Sequence, residues 1–167
     1  IDELKNIARN NGIVGAGGAG FPAYAKMTEK ADTVILNCVE CEPLLKLHRQ
    51  LLATHTEEVI QMLDEVRESF GAKEAVIGIK SEYVTTIKAI EEVIGDFPNV
   101  RICALKAAYP MGDEVVLIYE ATGRVIKPGG LPIDENVVVY NVETMYNLYR
   151  AVHLNIPVTN KLVSIVG

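Results

Sequence analysis

Four glycines fall within six positions in Gly15-Ala16-Gly17-Gly18-Ala19-Gly20, which runs on into Phe21-Pro22. Bare backbone of that kind presents N–H groups that can close around a phosphate, where a Cβ would block the approach. Proline after the last glycine suits the first turn of a helix. A helix N-terminus favours an anion by about 0.3 to 1 kcal/mol, and by up to about 2 kcal/mol when partly buried. Lys26, one turn further on, either adds a direct charge to such a site or stands as ordinary surface charge. The run also spells G-x-G-x-x-G, with the acidic Glu40 following it. A dinucleotide fingerprint should be entered from a strand, however, and here a helical pattern and only Gly12-Ile13-Val14 lead in. The segment therefore reads as a phosphate loop rather than as an ordinary nicotinamide site.

Three more polar clusters follow apolar runs. Asn37-Cys38-Val39-Glu40-Cys41-Glu42-Pro43 carries two carboxylates suited to ribose hydroxyls or an amide, with solvated loop charge as the plainer reading. Its C-x-x-C pair lacks the second pair that a zinc or cluster site needs and the helix N-terminus that a redox pair needs. Cys38 and Cys41 are expected as small side chains packed near a bound ring. Tyr109-Pro110-Met111-Gly112-Asp113-Glu114 offers an aromatic platform, a glycine for close approach and two acids; Asn141-Val142-Glu143-Thr144 is similar. Both also fit plain helix capping. His48, His55 and His153 have no ligand spacing and read as surface or helix residues.

The elements that must position these clusters follow from hydrophobic periodicity. A helix is expected over 1–10, stopping at Asn10-Asn11-Gly12, and a buried strand over Thr33–Leu36. Thr54 with Glu57 forms a capping box for a helix ending at Gly71, and strand 75–79 follows. Ser81 caps a helix that carries Val84, Ile87, Ile90 and Val93, ahead of strand 100–105. Gly112–Thr122 reads as helix, 123–132 as a Pro/Gly loop, 137–140 as strand, 142–153 as helix and Lys161–Val166 as a last strand. The alternation predicts an α/β fold, an open, mainly parallel, Rossmann-like sheet with helices on both faces. In such a sheet the strand C-termini share one edge, so the four clusters converge on one crevice.

Composition narrows the function classes. With 167 residues, 49% of them hydrophobic, and a slightly positive mean hydropathy, the chain can bury a core and is expected to form a single domain over 1–167. A net charge of −6, without a cluster of Lys or Arg, argues against nucleic acid. No apolar run approaches about 18 residues, so membrane insertion is not expected. The odd cysteine count, three, fits a reducing cytoplasm rather than a disulfide framework. Absence of an initiator Met and the end at Gly167 suggest a fragment of a longer chain.

In this order the four clusters resemble the flavin-binding domain shared by three proteins: the NADH-oxidising flavoprotein subunit of respiratory complex I, the C subunit of the Rnf electron-transport complex and the electron-transfer protein associated with proline reductase. The resemblance spans nearly the whole chain. Glu40-Cys41-Glu42-Pro43 and Tyr109-Pro110-Met111-Gly112 are closer to the Rnf and proline-reductase branches, since complex I usually has Ser in place of Cys41. The resemblance implies FMN held non-covalently by Gly15, Gly17, Gly18, Gly20, Lys26, Asn37, Glu40, Tyr109, Gly112, Asn141 and Thr144. It implies NADH against Phe21, Glu42 and Glu114, with hydride transfer carried by the flavin rather than by a catalytic side chain. No metal ligand is implied here, and 4Fe-4S clusters belong to other segments of the parent protein. The implied partners are NAD(H) and iron–sulfur electron-transfer domains or subunits, at a cytoplasmic position peripheral to a membrane complex. This chain departs from the complex I pattern at Ala16 and Val39 and lacks a Phe pair to sandwich adenine. Those departures favour the other reading, a flavin-free docking or assembly module, whereas the glycine loop and Asn37 favour the electron carrier.

Overall fold

A computed structural model describes residues 1–42 and 44–165. Among them four strands form one sheet, β1 (Thr33–Cys38), β2 (Glu74–Lys80), β3 (Val100–Leu105) and β4 (Val137–Asn141), in the order β3-β2-β1-β4. Every pairing is parallel, with Asn37 in register with Gly78 on one side and Asn141 on the other. Central β1 is apolar without interruption from Val34 to Leu36 because both of its faces are covered. Alternate residues part to opposite faces: Val34, Leu36 and Cys38 join one core, and Ile35, Val76 and Val139 another.

The larger core is roofed by α1 (Asp2–Asn10), α2 (Leu47–Thr54), α3 (Thr56–Phe70), α4 (Val84–Val93) and α6 (Val142–Leu154), and the smaller by α5 (Glu114–Thr122). The helices are thus on both faces but unequally shared. Close seating of α5 explains a glycine inside β2: a Cβ on Gly78 would come within 2.5 Å of Leu117 Cδ1. The long helix α3 stops where expected, with Gly71 in the left-handed conformation at φ 69°.

Several local expectations are corrected. Helix α2 is an addition to the sequence reading; it has eight residues and buries only Leu52, too little for a periodic signal. Its presence displaces the expected capping box. Thr54 ends α2, its hydroxyl donating to the Gln50 carbonyl (2.9 Å), and the Thr56 hydroxyl donates to the Leu52 carbonyl (2.7 Å), so neither caps α3. Ser81 does not cap α4, because the helix starts only at Val84 with Tyr83 in the position before it, and the Ser81 N–H donates to the Leu105 carbonyl at the sheet (2.8 Å). α5 begins at Glu114 rather than Gly112, with the Asp113 carboxylate accepting from the N–H groups of Val115 and Val116. The helix after Pro22 is a single 3-10 turn, Ala23–Lys26.

The last expected strand does not form over 161–165, and Val166 lies outside the described residues. Lys161 Nζ and the Leu162 N–H instead bind the buried carboxylate of Glu143 in the first turn of α6. A paired buried charge holds this segment over the helix, away from the sheet edge.

Candidate functional site

From β1 the chain steps outward to β2 and β3, then returns to place β4 on the other side of β1. The gap at the C-terminal ends of β1 and β4 is therefore the topological switch point, where open α/β sheets leave room for a ligand. A cavity of about 290 Å³ lies there, lined from β1 by Asn37 and from β4 by Val139, Tyr140 and Asn141. The glycine loop contributes Gly15, Gly17, Ala19 and Phe21, the 3-10 turn Ala23 and Lys26, and the starts of α5 and α6 contribute Glu114 and Thr144. The clusters after β1, β3 and β4 thus meet around one edge, as the parallel sheet requires, and the glycine loop after α1 joins them there.

The glycine loop is a closed ring. The Gly15 N–H donates to the Phe21 carbonyl (2.7 Å), the Gly20 N–H to the Gly15 carbonyl (3.2 Å), and Val14 bridges Pro22. It is fastened to α6 through Thr144, whose Oγ1 accepts from the Ala16 N–H (2.9 Å) and donates to the Val14 carbonyl (3.4 Å). Gly18 and Gly20 hold positive φ, 125° and 63°, which side chains adopt only under strain. Among the described residues, the N–H groups of Gly17, Gly18 and Ala19 find no acceptor in the protein. Consecutive unpaired amides beside an open cavity are the arrangement that binds phosphate oxygens.

Charge at the rim comes from Lys26, whose Nζ stands 3.3 Å from the Val139 carbonyl and 3.5 Å from Glu114 Oε1, both side chains being part-exposed. Asn37 and Asn141 line the floor with amides fixed by backbone. Asn37 donates to the Gly112 carbonyl (3.0 Å) and accepts from the Val39 N–H (3.0 Å), and Asn141 Oδ1 accepts from the Glu143 N–H (2.9 Å).

Other expected site residues take different positions. Glu40 is buried with its carboxylate turned towards α2: Oε1 accepts from the His48 N–H (2.8 Å) and Oε2 lies 3.6 Å from Arg49 Nε without a hydrogen bond. Burial pushes its pKa up despite His48 and Arg49. Gly112 does not line the cavity; a Cβ there would drive into the Val39 carbonyl and come within 2.7 Å of Cys41 Sγ. Its N–H donates to that same sulfur (3.2 Å), which gives Cys41 a place in holding two loops together. Buried Cys38 has its thiol pushed up by burial, so it stays protonated. Tyr109, Glu42, Gly18 and Gly20 stand exposed outside the lining.

One residue at the site has no signal in the sequence. His48 opens α2 and faces Asn141, whose Nδ2 lies 3.3 Å from each of its ring nitrogens. Only the fold brings the two together.

A second groove of about 410 Å³ runs between α2 and α4 past Lys46, Arg49, Tyr83, Thr85 and Thr86. Its polar groups are largely spoken for, since the Arg49 guanidinium stacks over the Tyr83 ring at 4.4 Å and the Thr86 hydroxyl donates to the Arg49 carbonyl (3.0 Å). Among the described residues no group of three or more His, Cys, Asp and Glu side chains could hold a metal ion, and no helix is long and apolar enough to cross a membrane.

Known proteins match the chain over nearly all of its length. Residues 8–150 match the Nuo51 FMN-binding domain. Cobalamin reductase PduS of Citrobacter freundii is 39% identical over 164 residues, which cover 98% of this chain and 36% of the relative. The C subunit of the Na+-translocating ferredoxin:NAD+ oxidoreductase complex of Acetobacterium woodii is 34% identical over 170 residues, covering 99% and 38%. A solved structure of an NAD+-reducing NiFe hydrogenase, air-oxidised, superposes with TM-score 0.77 at 25% identity, over 91% of this chain and 30% of that one. The chain spans a little over a third of the length of these curated relatives.

Proposed function

The chain belongs to the Nuo51 FMN-binding domain family, and from that premise we propose that it is the flavin domain of an NAD(H)-linked electron-transfer protein, with FMN seated between β1 and β4. The observation that carries this reading is the row of unpaired amides at Gly17, Gly18 and Ala19, in a loop whose Gly17 and Ala19 line a cavity that β1, β4, Lys26 and Thr144 enclose. Its volume, about 290 Å³, is at the lower end for small-molecule sites and suits a flat ligand whose edge stays accessible.

The residues present fit such a cofactor. Gly17 leaves room for a phosphate that a larger side chain would occupy, and the ring of loop hydrogen bonds keeps the loop in place without further ordering cost. Lys26 brings a positive charge to the rim, and Asn37, Asn141 and Thr144 offer polar contacts along the ribityl chain. Phe21, about half exposed, and Glu114 border the opening and are positioned to meet a nicotinamide nucleotide, with Glu42 exposed further out on the β1 loop. FMN held there would supply the redox chemistry, two-electron exchange with a nicotinamide and one-electron exchange with a single-electron carrier. The chain's task is to hold, orient and tune. Buried Glu40 behind the β1 loop places a titratable group near the site without exposing it to solvent. Electrons would then pass to iron–sulfur centres on other segments or subunits, with the whole protein peripheral to a membrane complex.

An anaerobic absorbance spectrum of the FMN-reconstituted full-length protein, before and after NADH, tests the reading. Flavin bands that bleach with NADH are the expected result. Retained flavin that stays oxidised would remove NADH as donor, and no flavin retained under any condition would overturn the assignment in favour of a docking module.

A further inference from the structure

Resting on the reading that the β1–β4 crevice holds FMN, we infer that Glu143 and Lys161 are positioning residues for it: their ion pair straps the segment after α6 to the first turn of that helix and keeps the crevice in its binding shape. Glu143 is 2% exposed, an unusual place for a carboxylate. Its Oε1 accepts from the Leu162 N–H (3.1 Å) and its Oε2 from Lys161 Nζ, so among the described residues two consecutive tail residues supply every hydrogen bond this carboxylate receives. The residues on either side of it belong to the site. Asn141, which lines the cavity, starts α6 by accepting the Glu143 N–H at Oδ1 (2.9 Å), and Thr144 fastens the glycine loop by accepting from the Ala16 N–H (2.9 Å). One turn of helix thus carries the crevice floor, the loop fastener and the strap.

The strap is lightly held elsewhere. Beyond α6 the chain doubles back, with the Ile156 N–H donating to the Arg150 carbonyl (3.0 Å), the Val158 N–H to the Asn11 carbonyl (3.0 Å) and Arg150 Nη1 to Asn160 Oδ1 (3.3 Å) before Glu143 is reached. Residues 159–165 are all exposed, so the buried carboxylate rather than apolar contact anchors them. Removing one partner of a buried ion pair leaves a charge uncompensated, and the fold relieves it by letting that charge reach water. For Glu143 this means loosening the first turn of α6, which frees Asn141 and Thr144 along with it. By linkage the coupling is mutual: a strap that favours bound flavin is favoured by it to the same extent.

The test uses the flavin-stripped full-length protein, with FMN affinity read by fluorescence quenching at about 0.05 M and about 0.5 M salt. K161M is expected to weaken FMN about tenfold at both, since a buried pair is little screened. Adding E143Q, which removes the stranded charge and keeps an acceptor for the Leu162 N–H, is expected to bring affinity back within about threefold of wild type. The reciprocal reading needs no variant. The Lys161–Leu162 bond opens to trypsin when the strap is released, so saturating FMN is expected to slow cleavage of that bond in the wild type about tenfold. If K161M fails to fold, the cleavage rate still decides the matter. Overturning results for the pair alone are K161M binding as tightly as wild type, a loss that vanishes with salt as a simple surface attraction would, no recovery on adding E143Q, or a cleavage rate indifferent to FMN. A wild-type protein that takes up no FMN would overturn the flavin reading, and this proposal with it.

Discussion

Two glycine-bearing loops meet at the C-terminal edge of the sheet, and they use the residue for opposite ends. In the Gly15–Gly20 loop, a Cβ on Gly18 or Gly20 would meet no atom within 4 Å, and one on Gly17 would make only an ordinary contact with Asn141. In the loop before α5, a Cβ on Gly112 would collide with the Val39 carbonyl and Cys41 Sγ. Open space at a glycine that lines the cavity, such as Gly17, leaves room for a ligand, whereas crowding is room already taken by the fold; the helix-ending Gly71 is equally open but borders no cavity. Cavity and clearance together separate binding from architecture at Gly17 and Gly112.

Substitutions at the two glycines should therefore part company. G112V is expected to cost about 3 kcal/mol or more of stability, read by denaturant unfolding, because backbone rather than a yielding side chain opposes the new atoms. G17V is expected to unfold at the same denaturant concentration as wild type while losing FMN affinity at least about a hundredfold, or about 2.7 kcal/mol, in a flavin-quenching titration. Equal destabilisation by both would erase the distinction. A smaller effect falls on charge at the rim: K26Q should weaken FMN about tenfold and flatten the dependence of affinity on salt, leaving the unfolding midpoint alone.

The other end of the sheet sharpens the comparison, because its polar contacts serve stability only. Before β1, Asp32 Oδ1 pairs with Arg124 Nη1 at 2.6 Å, and that nitrogen also donates to the Glu135 carbonyl (2.8 Å). Burial pushes the Asp32 carboxyl up, but the hydrogen bonds from Arg124 and Thr33 and the charges of Arg124 and Lys73 outweigh it and hold the pKa below the ordinary value. A depressed carboxylate contributes stability that is present above its ordinary pKa, about 3.9, and is lost as the pH falls through the lowered value. R124Q should thus cost no more than about 1 kcal/mol at neutral pH, a difference that fades in strong acid, with FMN affinity unchanged.

Sequence patterns reached the sheet more readily than the site. Val34–Leu36 and 137–140 are unbroken apolar runs, as strands covered on both faces require, and the polar residues directly after each run mark the ligand edge. The convergence of the three clusters after β1, β3 and β4 follows from parallel pairing, whereas the glycine loop, which follows α1, is brought there by its bonds to α6. Side-chain direction does not follow from pairing. Glu40 and Glu42 are two positions apart, yet one is buried against α2 and the other is exposed, a difference set by a helix too short to leave a periodic trace. Gly112 and Gly17 likewise become distinguishable only once their neighbours are in place. His48 has no local signature because the residue it faces, Asn141, lies at the end of β4, and the tail at Lys161 follows the carboxylate of Glu143 rather than its own strand-forming composition.

The most direct measurement is a crystal structure of the FMN-reconstituted protein. The expected result is a phosphate within hydrogen-bond distance of the Gly17, Gly18 and Ala19 amides and a flavin bordered by Asn37, Lys26 and Asn141. A flavin seated instead in the Arg49–Tyr83 groove between α2 and α4, with the glycine loop empty, would contradict the assignment of the β1–β4 crevice.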